Sequence, residues 1–303
     1  MTIKTVIVDN GKENFKWRID GCNNSFPSKL EEGVPVYNED EIIYNNKSYI
    51  IGEEAEDYNY EFTKNNFHHK LLLYYCLAKN TEDVQSFNLV IGCPLTTYLN
   101  KNEHESYIES IRNNGQPIQI LLNRKKKIII IKNITIVPES IGGYILDYNK
   151  SKLENRGVID IGGLNMNGAI YSMGKPIKDK MITTNMGMHI LMKNIQQAVL
   201  REREETINLY TCKYLMSTKN FNGDAKLKEI FDKECIKFIT NIKKSLTKND
   251  WELKQLNLRF IGGGSMQLKQ YIKEVFGDVY IEDNLFANCE AFEIFAKIKN
   301  GKK

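Results

Sequence analysis

The most constraining stretch of the chain is residues 156–167. A short apolar strand (Gly157, Val158, Ile159) ends in Asp160, two glycines follow at Gly162 and Gly163, and a second strand begins near Asn165. A carboxylate at the end of a buried strand, with glycines just after it, brings negative charge beside bare backbone N–H groups at a sheet edge. Such a place suits a phosphate and its metal. The same pattern also reads as an ordinary hairpin, because glycine supplies the positive φ of primed turns. Recurrence narrows the choice. Residues 3–8 are an apolar run ending in Asp9-Asn10-Gly11, and 14–19 alternates as a returning strand, so 3–19 is a second hairpin with an aspartate at its turn. In both halves further strands and then helices follow, which predicts two related α/β domains facing each other across a ligand cleft.

Size favours the same division: 303 residues with 42% hydrophobic content can bury two medium cores. No apolar run approaches the roughly 20 residues that span a bilayer, and residues 1–9 form a charged strand without a signal-peptide pattern, so a cytoplasmic protein is expected. The six cysteines are scattered with no C-x-x-C pair, which argues against a disulfide framework and a zinc site. A net charge of +4, with both signs interspersed along the helices, describes a solvated surface rather than a nucleic-acid binder.

Between the hairpins the pattern predicts short strands over 37–51 and a helix over 66–79 with Phe67, Leu71, Tyr74, Tyr75 and Ala78 on one face. A buried strand follows at 87–92, then a polar helix at 103–112. Strands at 119–122 and 128–137 pair across a basic turn at 124–127, and Pro138-Glu139-Ser140 opens a short helix. After the second hairpin come strands at 166–171 and 177–183 and helices at 186–201 and 226–245. A buried strand at 258–261 runs into Gly262-Gly263-Gly264-Ser265, with Ser265 capping a helix to 276 that Gly277 stops. A last helix covers 285–298. His68-His69 lies in a helix, where neighbours face different ways, and is not read as a metal site. The run 201–205 reads as an exposed, ion-paired helical segment.

In order and spacing these motifs resemble the actin, heat-shock chaperone and sugar-kinase superfamily, and within it the ParM (StbA) plasmid-segregation actins. Val6-Ile7-Val8-Asp9-Asn10-Gly11 resembles the first phosphate hairpin and Ile159-Asp160-Ile161-Gly162-Gly163 the second. Val137-Pro138-Glu139-Ser140 is similar to the segment with the hydrolytic glutamate, and Asn185-Met186-Gly187 to the family's post-hairpin glycine. Phe260-Ile261-Gly262-Gly263-Gly264-Ser265 resembles the adenosine motif, and Leu285-Phe286-Ala287-Asn288 the start of the closing helix.

The resemblance implies an actin-like (ribonuclease-H-like) fold: a first domain over 1–150 with an outer-lobe insertion near 28–65, joined by the closing helix at 285–298, and a second over 151–284 with an insertion near 200–255. It implies a filament-forming ATPase that binds ATP, or GTP, with Mg2+ and segregates plasmid DNA through a DNA-bound adaptor. The filament itself contacts neither DNA in a sequence-specific way nor a membrane. Asp9, Asn10, Gly11, Lys12, Lys16, Gly162, Gly163, Leu164, Asn165, Gly187, Gly262, Gly263, Gly264 and Ser265 are the implied nucleotide-binding residues, and Glu139 and Asp160 the catalytic ones. Asp9 and Asp160 would hold Mg2+ largely through water, in keeping with that ion's retained hydration shell.

Physical reasons accompany these roles. Glycine turns let backbone N–H groups reach phosphate oxygens. A triple glycine lets a flat base lie on backbone, and Glu139 at a helix start is placed to orient or deprotonate water. The sequence departs from the family's pattern at two places. Lys12 and Glu13 stand where Ser or Thr is usual, and Leu164-Asn165 replace the usual Thr, so ATP binding follows more directly than fast hydrolysis. The other readings are a monomeric small-molecule kinase of the same superfamily, for which no segment supplies a clear substrate base, and a membrane-tethered relative, against which the absence of an amphipathic or lipid-anchoring terminus counts.

Overall fold

The structure, a computed structural model, describes residues 2–37, 40–59, 61, 63–147, 154–173, 175–299 and 301. The chain forms two compact units, one of Met1–Gly142 with Asn288–Lys303 and one of Gly143–Ala287. The domain boundary expected at 150 lies outside the described residues, as does part of the turn expected at 38–40.

The first unit is built on a sheet of β1 (Ile3–Asn10), β2 (Asn14–Ile19), β3 (Cys22–Pro27), β4 (Leu30–Glu32), β5 (Ile42–Tyr44), β6 (Lys47–Ile51), β7 (Val84–Cys93), β8 (Ile118–Leu122) and β9 (Lys125–Pro138). Their spatial order is β3-β2-β1-β7-β9-β8-β5-β6-β4. β1 pairs antiparallel with β2 and parallel with β7, so that Asp9 lies opposite Lys16. A strand flanked on both edges and covered on both faces needs an unbroken apolar run, and Val6, Ile7 and Val8 are all buried.

The helix expected at 66–79 is α1 (Phe67–Lys79), begun by Asn66, whose side chain accepts a hydrogen bond from the His69 N–H. Its packing differs from the one-faced expectation: every residue from Leu71 to Ala78 is buried, whereas Phe67 is 42% exposed. A helix apolar all round is one enclosed in a core, and here Leu72, Leu73, Cys76 and Leu77 fill the positions that a surface helix would make polar. Helices α2 (Leu95–Leu99) and α3 (Lys101–Arg112) follow β7, and α4 (Gly142–Ile145) follows β9.

Two turns differ from expectation. The basic turn is Asn123-Arg124, both with positive φ (49° and 64°), and Lys125, Lys126 and Lys127 already belong to β9. Leu122 sits opposite Lys125, which leaves a two-residue loop that requires such angles. The segment at 138–140 does not open a helix. β9 runs through Pro138, opposite Cys93, and the Glu139 N–H donates to the Cys93 carbonyl at 2.8 Å. Strand pairing therefore holds Glu139, Ser140 turns the chain with φ 67°, and the helix starts at Gly142.

In the second unit β10 (Arg156–Ile161), β11 (Met166–Ser172), β12 (Lys175–Pro176), β13 (Ile182–Thr184), β14 (Asn257–Ile261) and β15 (Tyr280–Ile281) form a sheet in the order β12-β11-β10-β14-β15, with β13 also on β11. β10 repeats the pairing of β1: antiparallel to the next strand, parallel to a later one. The strand expected at 177–183 reduces to β13, because 178–180 form a 3-10 turn whose Lys180 carbonyl accepts from the Trp251 indole N–H at 3.0 Å.

Helices α5 (Met188–Arg203), α6 (Leu209–Thr218), α7 (Ala225–Lys248), α8 (Gly263–Gln267) and α9 (Lys269–Phe276) surround this sheet, and α10 (Ala287–Lys299) returns to the first unit, where Arg18 of β2 pairs with its Glu290 and Glu293. α7 packs on α5 and α9 through Ile230, Phe231, Cys235, Phe238, Ile239 and Ile242. Burying each of the larger of these side chains contributes about 1.5–3 kcal/mol. The helix expected at 265–276 is divided at Leu268. It also begins early: Gly262 (φ 88°) is the N-cap, and Ser265 lies inside α8 with its Oγ donating to the Ile261 carbonyl at 2.6 Å. Ser265 therefore does not cap, because the positive φ at Gly262 turns the chain into the helix before it is reached.

Candidate functional site

β1 carries Asp9 and Asn10 to its C-terminal end, and residues 11–13 return the chain to β2. Asp9 is buried; its Oδ2 lies 3.8 Å from Lys16 Nζ and accepts from Asn288 Nδ2 at 3.4 Å. Gly11 does not have positive φ. It is needed for closeness, since a Cβ there would stand 2.4 Å from the Asn14 carbonyl oxygen. The Asn10 amide is turned onto α1, its Nδ2 donating to the His69 carbonyl at 3.4 Å and its Oδ1 lying 3.0 Å from His69 Nδ1. What Asn10 offers a ligand is therefore its backbone. Lys12, in the place where a hydroxyl is usual, is buried: burial first, and then the charge of Lys64, pull its pKa down to about 8 against the opposing pull of Glu139 and Glu61.

Glu139 is buried where β9 ends, and its carboxylate accepts a hydrogen bond from Lys64, whose side chain is only 4% exposed. Burial by itself would lower the Lys64 pKa, but the charges of Glu139 and then Asp9 outweigh it and the pKa stands above the usual lysine value. A permanent cation thus faces Glu139. Lys12, Lys16 and Lys64 gather at this end of the sheet with Asp9, Glu139 and, acting on Lys12, Glu61.

The second hairpin is held differently. Gly162 N–H donates to the Asn165 carbonyl at 2.9 Å across the turn, and the Asn165 side chain donates to Asn167 Oδ1 at 3.3 Å. The first N–H groups of a helix lack intrahelical partners; in α5 those of Met188 and His189 donate to the Gly162 and Gly163 carbonyls at 3.0 and 2.8 Å. This seating works only with glycine at 187, where a Cβ would come within 2.4 to 2.6 Å of Leu164, Asn165 and Gly163 backbone atoms.

The triple glycine separates by role. A Cβ on Gly262 would lie 2.3 Å from Asp160 Oδ1, and one on Gly264 would lie 2.6 Å from Ile161 Cγ2. One on Gly263 would meet only Leu285 Cδ1, at an ordinary 3.6 Å. Gly262 and Gly264 are thus required by the end of β10, whereas a Cβ at Gly263 would displace nothing.

In the first unit the structure gathers Asp9, Asn10, Gly11, Lys12, Lys16 and Glu139; in the second it gathers Asp160, Gly162, Gly163, Leu164, Asn165, Gly187, Gly262, Gly263, Gly264 and Ser265. Sequence reading missed Lys64 and His69. Neither carries a local signal, since their partners lie 75 and 59 positions away.

Residues 8–142 match the family model described as the N-terminal domain of actin-like proteins. None of the curated proteins matches the chain in sequence. Among solved structures, the archaeal actin homologue Ta0583 superposes with a TM-score of 0.80 at 14% identity, over 98% of this chain and 100% of that one; the same homologue has also been solved in complex with ADP. The Alp12 filament structure gives a TM-score of 0.72 at 24% identity over 99% of this chain and 100% of the other. A 15-stranded ParM filament from Clostridium botulinum gives 0.76 at 19% identity over 98% and 100%. Along its whole length the chain has the actin-like α/β fold, and residues 8–142 of it match the actin-like N-terminal domain.

Proposed function

We propose that the chain is a bacterial actin-like protein that binds ATP, or GTP, with Mg2+, assembles into filaments while the triphosphate is intact, and hydrolyses it to disassemble. The observation that carries this reading is the pair of aspartate hairpins, each paired parallel to a later strand and each turned at a glycine, Gly11 or Gly162, whose Cβ would crowd the backbone carbonyl three residues on. Turns of this kind expose backbone to an anion without a side chain between. The ADP complex of Ta0583 and the filaments of Alp12 and ParM support it by analogy of fold.

The residues fit a hydrated magnesium ion and a polyphosphate. Among the described residues no cluster of three or more His, Cys, Asp or Glu is suited to a metal, and Mg2+ bound with a nucleotide needs only one or two carboxylates, the rest of its shell being water and phosphate oxygen. By the resemblance Asp9 and Asp160 would be those carboxylates, and the ion would neutralise phosphate charge. Lys12 and Lys16 supply further positive charge, and backbone at Gly11, Gly162 and Gly163 supplies N–H donors. Glu139, held by Lys64, orients or deprotonates the attacking water. Gly263 would be free to lie against the nucleotide's base or sugar. The filament's task is plasmid segregation through a DNA-bound adaptor.

Light scattering of the purified protein with Mg2+ and ATP, GTP, ADP or no nucleotide, followed by electron microscopy, tests this reading. Filaments that form with a triphosphate and decay as phosphate is released are the expected result. Tight nucleotide binding without assembly at any protein concentration, with turnover stimulated by a sugar, would replace it with the small-molecule kinase.

A further inference from the structure

We infer that His69 is a positioning residue that holds the first hairpin through Asn10, and that it does so as the neutral imidazole protonated on Nδ1. This rests on the reading of that hairpin as a phosphate site.

Asn10 is 2% exposed and His69 1%. The His69 carbonyl can only accept, so the Asn10 atom facing it at 3.4 Å must be the amide nitrogen. The amide oxygen then faces His69 Nδ1 at 3.0 Å, and because that oxygen can only accept, Nδ1 must carry the hydrogen. The side chain one position before Gly11 is therefore fixed to α1 at both of its ends.

The charge state follows from the surroundings. Burial first, then the charges of Lys64, His68 and Lys12, hold the His69 pKa down at about 2, so the ring is neutral across the physiological range. With Nδ1 protonated, Nε2 carries a lone pair, and this buried atom has no hydrogen-bond partner among the described residues. Protonating it would place a third positive charge beside Lys12 and Lys64. The same short segment also carries Lys64, which holds Glu139, and Asn66, which caps α1 on the His69 N–H. The entrance to α1 thus supports both the hairpin turn and the glutamate, and the turn's backbone is pre-organised without spending the Asn10 side chain on a ligand.

Three measurements on the full chain test this. Long-range 1H–15N correlation of the wild-type imidazoles should show the Nδ1–H tautomer at His69; an Nε2–H tautomer overturns the inference. In the nucleotide-free protein, His69→Phe should speed hydrogen exchange of the amides at 10–14 about tenfold relative to the rest of β1 and β7 and weaken ATP binding by a similar factor, the scale of one lost buried hydrogen bond. His69→Asn, whose amide nitrogen can donate in place of Nδ1–H, should restore both. Unchanged exchange and affinity in His69→Phe, or equal defects in His69→Asn, would overturn it. Should the wild type bind no nucleotide, the functional reading fails, while the tautomer and the exchange pattern still decide the role of His69 in the hairpin.

Discussion

The two aspartate hairpins share a pairing scheme and differ in what surrounds them. Around Asp9 the neighbours are side chains with charge: Lys16 at 3.8 Å, Lys12 and Lys64 in the same buried cluster, and Asn288 from the last helix. At the second hairpin the close approaches are of glycine and backbone: Gly262 beside the Asp160 carboxylate, Gly187 against the turn, and the α5 N–H groups on the turn's carbonyls. The first hairpin is therefore tuned by charge and the second by volume. Substitutions that alter charge should act through the first, and those that add a single carbon through the second at Gly187 and Gly262 and through the first only at Gly11.

The largest expected effect is on the charged side. Glu139→Gln keeps an oxygen for Lys64 to donate to while removing the base, and phosphate release should fall by about 10²–10⁴-fold with nucleotide-dependent assembly retained. Phosphate release at the wild-type rate would take Glu139 out of the chemistry. Lys64→Ala acts on the same pair from the other side. It leaves a buried carboxylate without its cation, and the first unit should lose about 3–5 kcal/mol of stability; urea unfolding with no shift in midpoint would mean that the pair is solvated.

On the volume side, Gly262→Ala combines positive φ with a contact of 2.3 Å to Asp160. Strain and overpacking together should cost about 2–4 kcal/mol. Gly263→Ala, one position on, meets only an ordinary contact and should change stability by no more than about 0.5 kcal/mol, while weakening nucleotide binding. If both variants unfold alike in urea, the division of the triple glycine into packing and ligand positions is wrong.

How much of this was legible in the sequence follows the same division. The hairpins, the aspartates, the glycines and the long helices α1 and α7 are local patterns, in which strand alternation, helical spacing and turn residues lie next to one another in the chain. The reasons for the glycines were not legible. Positive φ is the usual expectation, but only Gly262 among Gly11, Gly162, Gly187 and Gly262 has it; Gly11 and Gly162 are crowded by Asn14 and Asn165 within their own turns, and Gly187 by the distant turn at 163–165, an arrival that sequence spacing does not encode. Glu139 was legible as a residue but not in its setting, since the ladder bond to Cys93 that keeps it on a strand end comes from β7, 46 positions earlier. Lys64 and His69 were invisible for the same reason.

A further effect separates the two hairpins by pH. Lys12 has its pKa lowered from 10.5 to about 8 in the folded chain. Between those values the unfolded chain binds more protons at this residue than the folded one, so its contribution to stability rises with pH across that window and is lost as pH falls through about 8. Nucleotide affinity should run the other way, because the neutral amine cannot pair with phosphate. With about one ammonium in ten remaining one unit above the pKa, binding at about pH 9 should be about tenfold weaker than at about pH 7. Lys12→Ser, which restores the hydroxyl usual in similar proteins, should flatten that profile and remove the opposing rise in stability. Isothermal titration in buffers of differing ionisation heat would register the proton taken up on binding by the wild type and not by the variant. Equal proton uptake in both would assign the titration to another group and leave the first hairpin as insensitive to charge as the second.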